Sequence, residues 1–348
     1  MIVGYEGTFM RLLYCIFFFY ATILPATEYI YPVASLNNGA TILCIHQHSP
    51  TNIELLEWNP ETNHTEQMLW SVYNPAWLQM LPDNTGFSFI DNGRLRIKLF
   101  QKRSPKSIDF DEPLFDINGL QWIDEHTCYC SAYYNDNFAL FELHDDGTLQ
   151  CLHWKKGSDY LYPQKIDNQL FYIERCTTEN STNYHIMQCI YHYNDSELIA
   201  DFCNTPIVFL TMISNTQGFV LEHAQNIDSS NLTTLFTYHE IKNQGGTWNK
   251  NVLFSFSIPT DLLREGSDRL YESLLPLLPR IVDNKIYFVS CSNDNSFLEP
   301  YFYSLSSKTI HKINLPTKNG HYFVPMQCGN KLYCGGTLSG DKKLLALF

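Results

Sequence analysis

A short motif is written three times in this chain, and its repetition restricts the fold more than any other feature does. Residues 163–175 read PQKIDNQLFYIER, residues 279–291 read PRIVDNKIYFVSC, and residues 325–337 read PMQCGNKLYCGGT. Each copy has a proline, then a polar turn, then an apolar run. Looser copies begin near residues 32, 75, 119 and 206, so that most copies start about 43 to 46 residues apart.

Each copy reads as four short strands. Runs rich in Ile, Leu, Phe, Tyr and Val are separated by Asn, Asp, Gly and Pro, which favour turns. A four-stranded unit of about 40 to 50 residues, repeated along a chain, is typical of a β-propeller blade. The sequence therefore predicts an all-β fold, a propeller of four-stranded blades. Seven copies predict seven blades, and six is the alternative if the irregular fifth copy is not a blade.

The last copy has only three strands before residue 348, and the segment TEYIY at residues 27–31 offers a fourth. We expect this N-terminal strand to pair into the last blade and so close the ring, because closure removes exposed strand edges. The fifth copy carries an insertion with a helical pattern at about residues 260–277. Residues 27–348 are thus expected to form a single propeller domain.

The N-terminal segment has the pattern of a secretory signal peptide over residues 1–26. From Met10 it reads MRLLYCIFFFYATILPA, with one Arg, an apolar run and small residues up to Ala26. Met10 is an alternative start. The apolar run, residues 12–24, is shorter than the ~20 residues that span a bilayer. We expect an exported protein, periplasmic or extracellular, without an integral membrane span in the mature chain. An uncleaved N-terminal membrane anchor is the alternative.

The charge balance disfavours nucleic-acid partners. The chain has 23 Lys and Arg against 36 Asp and Glu, a net charge of −13, whereas phosphate backbones are bound by basic surfaces. The remaining expectations are a protein partner, a monomeric chain and no cofactor.

Motifs of enzyme chemistry are missing from the sequence, which contains no Gly-x-Ser-x-Gly, no His-Glu-x-x-His and no phosphate-binding glycine loop. No catalytic residue is predicted. Cys44, His46 and His48 stand at alternate positions of one predicted strand, which puts their side chains on one face. They are weak candidates for metal ligands, and the competing interpretation is that they are packed strand residues.

One disulfide is predicted from the export signal and the cysteine pattern. Cys176 and Cys189 flank one loop on strands expected to be neighbours, and disulfides form in oxidising compartments. The other cysteines lie mostly inside apolar strand patterns.

Aromatic residues dominate the predicted loop face, where the connections between blades and the central hairpin turns meet. Aromatic side chains are enriched at binding hot spots, and rigid scaffolds often bind through such loops. The predicted binding residues are Trp70, Tyr73, Tyr133, Tyr134, Trp154, Tyr160, Tyr162 and Tyr322. Trp77 is expected to pack between blades instead.

The stretch NPAWLQMLPDNTGFSFIDNGRLRIKLF, residues 74–100, resembles the repeat of TolB-like and WD-repeat-like propellers. That repeat usually has Ser-Pro-Asp-Gly at its turn, which only Pro82 and Asp83 approach here. The resemblance covers the propeller part and implies an exported propeller that binds other proteins, without implying membership of the Tol system. Two alternatives stay open: a hydrolase or lyase with a site in the axial channel, and a propeller that binds carbohydrates or small ligands.

Overall fold

The computed structural model describes the chain over residues 29–36, 41–49, 52–62, 64–73, 76–82, 85–91, 94–100, 106–108, 117, 119–178, 181–190, 196–203, 205–223, 233–260, 277–291, 297–315, 321–337 and 345–346. The predicted signal peptide and most of the predicted helical insertion lie outside these residues. None of the described segments is a helix with the length and apolar character needed to cross a bilayer.

Within these ranges the backbone forms 28 β-strands. Those of the first half of the chain are β1 (Tyr29–Leu36), β2 (Thr41–Ser49), β3 (Asn52–Asn59), β4 (His64–Tyr73), β5 (Ala76–Met80), β6 (Gly86–Asp91), β7 (Arg94–Leu99), β8 (Lys106–Ile108), β9 (Leu120–Trp122), β10 (Thr127–Tyr134), β11 (Asn137–His144), β12 (Leu149–His153), β13 (Ser158–Ile166) and β14 (Gln169–Thr177). Those of the second half are β15 (Thr182–Ile190), β16 (Ser196–Cys203), β17 (Ile207–Ser214), β18 (Gln217–His223), β19 (Thr233–Gln244), β20 (Thr247–Pro259), β21 (Arg280–Val282), β22 (Lys285–Cys291), β23 (Leu298–Ser304), β24 (Thr309–Lys312), β25 (Met326–Cys328), β26 (Lys331–Cys334), β27 (Gly336–Thr337) and β28 (Leu345–Ala346).

These strands form seven antiparallel sheets that follow one another along the chain. The first sheet contains β1 to β4 with β27 added at the β1 edge, and the next five contain four strands each, in the groups β5–β8, β9–β12, β13–β16, β17–β20 and β21–β24. The seventh has three described strands, β25, β26 and β28. First strands of neighbouring sheets contact one another at β5 with β9, β9 with β13, β13 with β17 and β25 with β1, as first strands do around a propeller axis. The predicted all-β propeller with four-stranded antiparallel blades is confirmed, and six sheets are complete blades of four or more strands.

The predicted closure of the ring is wrong in the described part of the chain. Tyr29 and Ile30 belong to β1, the first strand of the first sheet, where they pair with β2 and with the short strand β27. The side chain of Ile30 is fully buried in a cluster with Met326, Cys328 and Tyr333 of the seventh sheet. An apolar residue packed in this way holds its strand between the two sheets, so the N-terminal strand does not become the outer strand of the last one.

A close backbone approach joins the end of the seventh sheet to the first. A Cβ at Gly335 would overlap the carbonyl oxygen of Ile30, so only glycine fits at this position. The next residue, Gly336, pairs with Ile30 and also forms a bridge with Tyr322. The adjacent glycines of the sequence LYCGGT are therefore packing residues.

Neighbouring sheets are held together face to face by apolar and aromatic side chains. Between the fifth and sixth sheets, the rings of Phe254 and Phe288 stack with centroids 4.3 Å apart, and Phe256 lies 5.7 Å from Phe288. Successive side chains of a strand point to the two opposite faces of its sheet, and most of the large apolar side chains among the described residues are buried.

Glutamine side chains connect the first strands of neighbouring sheets. The amide nitrogen of Gln164 in β13 donates to the carbonyl oxygen of Leu210 in β17 (2.6 Å), and its amide oxygen accepts from the backbone N–H of Met212 (2.6 Å). Gln79 donates in the same way to Leu120 O, and Gln121 accepts from the backbone N–H of Lys165 (2.7 Å). The amide side chains thus bond backbone groups at strand edges that no further strand pairs.

We expect Gln164→Met to lower the free energy of unfolding by about 2 kcal/mol, because it leaves a backbone donor and a backbone acceptor of β17 without their partner. Urea unfolding followed by circular dichroism measures this change. Gln150→Met, at an exposed position of β12, is the matched control and should change stability little. An equal loss in both variants would contradict the role of the Gln164 amide.

Candidate functional site

One edge of the third and fourth sheets carries exposed aromatic side chains and a cluster of polar side chains that could bind a ligand. In the third sheet β10 ends at Tyr134 and β12 ends at His153, and in the fourth β13 begins at Ser158 and β14 ends at Thr177. Because neighbouring strands are antiparallel, these ends lie on the same side of their sheets. We call this region the loop edge; it comprises the β10–β11 turn, the β12–β13 connection and the β14–β15 turn.

Hydrogen bonds to Asp159 and Asn137 lock the two halves of the loop edge together. The carboxylate of Asp159 accepts from the backbone N–H of Phe138 (2.9 Å) and from Nε and Nη2 of Arg175 (2.9 and 2.8 Å). The side-chain oxygen of Asn137 accepts from the backbone N–H of Gly157 (3.0 Å). Burial acts to lower the pKa of Arg175, but the hydrogen bond to Asp159, the charge of Asp159 and the contact with Tyr184 together outweigh it and raise the pKa overall. The turn of the third sheet is thereby fixed to the fourth.

Two of the predicted binding residues are exposed at the loop edge. Tyr133 is 39% exposed and Trp154 is 41% exposed. The ring of Tyr133 packs edge-on against Phe138 (5.6 Å), and Nε1 of Trp154 donates to the carbonyl oxygen of Tyr134 (3.2 Å). Both side chains therefore have a fixed base and a solvent-facing surface. Tyr134 itself is half-buried against Phe141.

Tyr160 and Tyr162 were predicted to be binding residues, but their side chains pack against other sheets. Tyr160 is 5% exposed and stacks on His153, while Tyr162 is half-buried and its ring lies 5.8 Å from that of Trp77. Trp77 is buried, as expected, and its Nε1 donates to Ile117 O (2.8 Å).

The other predicted binding residues do not join the loop edge. Tyr322 is half-buried and bridges to Gly336 near the seventh sheet. Trp70 and Tyr73 belong to β4, and their side chains lie outside the described part of the structure.

A cluster of three potential metal ligands lies on the fourth sheet at the loop edge. Glu174 and Cys176 are alternate residues of β14, and His185 of β15 is the direct cross-strand partner of Glu174. A carboxylate oxygen, the thiol sulfur and an imidazole nitrogen from these residues all lie within 4.8 Å of one another, and all three side chains are half-buried.

Polar groups surround this cluster. Ser158 Oγ lies 3.4 Å from the sulfur of Cys176, Lys155 Nζ lies 3.9 Å from a carboxylate oxygen of Glu174, and Asp201 Oδ1 lies 3.6 Å from Nε2 of His185. Burial raises the pKa of the Cys176 thiol; the Ser158 hydroxyl acts to lower it, and the carboxylate of Glu174 to raise it. Without a cation the thiol is therefore held in its protonated form at neutral pH.

Cys44, His46 and His48, the metal-ligand candidates from the sequence, do not belong to this cluster. Cys44 and His46 are both fully buried in β2, and burial raises the pKa of the Cys44 thiol far above its ordinary range. Nδ1 of His46 lies 3.2 Å from a carboxylate oxygen of Glu54. The side chain of His48 lies outside the described part of the structure. Cys44 packs in the apolar cluster around Ile30, which fits the interpretation as a core residue.

The predicted disulfide between Cys176 and Cys189 is contradicted by the strand register. Cys176 is paired with Asn183 and Cys189 with Leu170, so the two cysteines are six residues apart along the β14–β15 ladder, about 20 Å. A disulfide needs Cα atoms within about 7 Å. Both thiols are free. The sequence identified the two strands correctly as neighbours but could not give their register.

Glu174 and His185 were not recognised from the sequence as site residues. The spacing Glu-x-Cys within one strand was visible, and it puts both side chains on one face. His185 joins them only because the β14–β15 turn pairs Thr177 with Thr182. A correct prediction of that strand pairing would therefore have identified the cluster.

The loop edge is expected to be sensitive to acid through His153. Burial lowers the pKa of His153, and the Glu174 carboxylate offsets this only in part. Because the unfolded chain binds the proton more tightly, His153 contributes stability above its ordinary pKa of about 6.5, and this is lost as the pH falls toward the folded-state pKa.

We therefore expect His153→Phe, which keeps a ring beside Tyr160, to lose less thermal stability than the wild type between about pH 7 and about pH 5. His311→Phe is the control, since His311 is exposed and also stacks on an aromatic ring, that of Phe302. Thermal unfolding midpoints across this pH range test the prediction. It fails if both variants follow the wild-type curve.

Comparisons with known proteins agree with this architecture. No protein-family model matches the chain, and no curated protein matches it in sequence. Among solved structures, it is similar to a prolyl endopeptidase (TM-score 0.59, 11% identity, 99% of this chain and 52% of that chain). It is also similar to oligogalacturonate lyase from Vibrio parahaemolyticus (0.54, 10%, 91% and 92%) and to the β-propeller domain of the Trilobed protease from Pyrococcus furiosus (0.51, 10%, 92% and 98%).

The structural neighbours also include a TolB-like protein from Agrobacterium tumefaciens (TM-score 0.47, 12% identity, 66% of this chain and 82% of that chain). The chain spans about half the length of the prolyl endopeptidase that it resembles. The likenesses to the prolyl endopeptidase, the lyase and the Trilobed protease domain, at 10 to 11% identity, concern the fold alone, and they agree with a β-propeller.

Proposed function

We propose that this protein is an exported β-propeller that binds a protein partner through the loop edge of its third and fourth sheets, without covalent chemistry. The observation that carries this proposal is the pair Tyr133 and Trp154. Both are large, exposed and fixed at their base by contacts within the scaffold. Rigid aromatic side chains supply contact area at low cost in conformational entropy, which is why they are frequent among hot spots.

The rigidity of the loop edge supports this function. The backbone that follows Trp154 is held at two points: the N–H of Gly157 donates to the side-chain oxygen of Asn137, and Asp159 accepts from the backbone N–H of Phe138 in the turn of the third sheet. A surface that is already ordered loses little further entropy when a partner docks. We also propose that the seventh sheet, with its three described strands, is a seventh blade. Its apolar side chains pack on β1 in the way that the other blades pack on one another.

The first strands offer less support for chemistry in an axial channel. There the rings of Trp77 and Tyr162, from the second and fourth sheets, contact each other beside Gly119. An enzyme of the hydrolase or lyase kind would be expected to direct carboxylates and imidazoles to this place. The apolar contact favours binding at the loop edge over catalysis at the axis.

We expect the double change Tyr133→Ala and Trp154→Ala to weaken binding of the partner at least about 30-fold, since a hot-spot residue typically contributes about 2 kcal/mol or more. The chain from residue 27 onward is used to isolate the partner from the envelope fraction, and affinities are then measured with the purified partner. Val252→Ala and Ile310→Ala, exposed apolar positions of the fifth and sixth sheets, serve as controls. Unchanged binding by the double variant would place the interaction elsewhere.

Export itself is a second testable part of this proposal. The pattern of residues 10–26 predicts that the mature chain begins near Thr27, just before β1. Mass spectrometry of the protein recovered from outside the cytoplasm reads its N-terminus directly. A chain that keeps residues 10–26 and sediments with membranes would favour the anchor instead.

A further inference from the structure

We propose that Glu174, Cys176 and His185 form a zinc-binding site on the fourth sheet. The inference goes beyond partner binding and does not depend on it, because it rests on a different set of side chains. The ion would be held by three protein ligands, with water in the fourth position.

The geometry of the three donors is close to that of an occupied site. They lie within 4.8 Å of one another. In a tetrahedral site with zinc–oxygen and zinc–nitrogen bonds of about 2.1 Å and a zinc–sulfur bond of about 2.3 Å, donor atoms are about 3.3 to 3.7 Å apart. The half-buried side chains need to approach by about 1 Å, which small rotations supply without moving the backbone.

The backbone beneath the donors is well fixed. β14 and β15 are the two central strands of the fourth sheet, paired on both sides by β13 and β16. Glu174 and His185 are cross-strand partners, and Cys176 follows Glu174 on the same face. A site on the middle strands of a sheet keeps its ligand positions with greater precision than a site on a loop.

The donor set selects the ion. Thiolate and imidazole are ligands of zinc and related transition metals, whereas calcium and magnesium take oxygen donors. One carboxylate, one thiolate and one imidazole also balance the double positive charge. Three protein ligands with an open fourth position are the pattern of zinc sites that keep a water molecule.

Neighbouring groups fit this assignment. Asp201, whose Oδ1 lies 3.6 Å from Nε2 of His185, is placed to orient the imidazole, as carboxylates commonly do beside ligating histidines. Ser158 Oγ lies 3.4 Å from the Cys176 sulfur and can donate to a thiolate. A bound cation would also stabilise the thiolate, which burial otherwise disfavours.

Lys155 is the group that opposes metal binding. Its Nζ lies 3.9 Å from Glu174 Oε1. In the metal-free protein the positive charge of Lys155 therefore competes with a cation for the Glu174 carboxylate. The Lys155 side chain is 67% exposed and can swing into solvent when an ion arrives. This competition gives the proposal a test of opposite sign, in which removal of a positive charge strengthens binding.

The test is a zinc titration of the full-length mature chain, purified without a histidine tag and stripped with a chelator, followed by calorimetry. We expect one zinc per chain at this site. Cys176→Ser and His185→Asn should each weaken zinc binding at least about 100-fold, Asp201→Asn about 10-fold, and Lys155→Met should strengthen it. Cys151→Ser, an exposed thiol of β12, is the matched control and should bind as the wild type does.

A spectroscopic measurement distinguishes loss of a metal ligand from loss of the fold. Cobalt in the same site should show the thiolate-to-metal charge-transfer absorption in the near ultraviolet, and Cys176→Ser should lack it while its circular dichroism stays native. The proposal is overturned if the wild type binds no zinc. It is equally overturned if cobalt shows no thiolate band, or if Cys176→Ser binds zinc as tightly as Cys151→Ser.

Discussion

In the described part of the chain, the first strand of each sheet from the second to the seventh has one unpaired edge, and this edge is the constraint on which the rest of the structure depends. The backbone groups on that edge have no further strand to bond, and buried polar groups without partners cost about 1 to 3 kcal/mol each. The chain satisfies several of them with amides from the preceding sheet, of which Gln164 is the clearest because it both donates and accepts. In the sixth sheet Arg280, which like Gln164 follows the proline of its repeat, donates instead to the carbonyl oxygen of Pro32 in the first sheet (2.9 Å). In these two copies of the repeat, the residue after the proline carries the side chain that bonds the backbone of another sheet.

This mode of joining also determines where a binding site can form. Where the third and fourth sheets meet, Asp159 bridges them by accepting from Arg175 of the fourth sheet and from the backbone N–H of Phe138 in the third. The β12–β13 connection then has little freedom, which gives Trp154 a defined direction. The loop edge is consequently a product of the packing between blades rather than of any single loop.

The repeat was enough to predict the propeller, the four-stranded blades and the burial of Trp77, because each follows from local apolar patterns and turn residues. Three features of the structure could not be predicted from the repeat, because they depend on contacts between distant parts of the chain or on strand register. The place of Ile30 depends on contacts with residues nearly 300 positions away, such as Met326. The separation of Cys176 from Cys189 depends on register, which changes with one residue in a turn. The burial of Tyr160 depends on the neighbouring sheet, whose His153 stacks on its ring.

Register decides between two chemical fates for Cys176. A pairing that placed Cys176 opposite Cys189 would have brought the two thiols within reach of a disulfide, a covalent link between the two strands. The observed register instead places Ser158 on one side of Cys176 and puts His185 opposite Glu174. The same thiol therefore stands next to a carboxylate and an imidazole, at the edge where Tyr133 and Trp154 are exposed. A metal ion there would cross-link the two central strands of the fourth sheet close to the proposed docking surface. Metal binding would thereby stabilise the folded state of the same region that binds the partner.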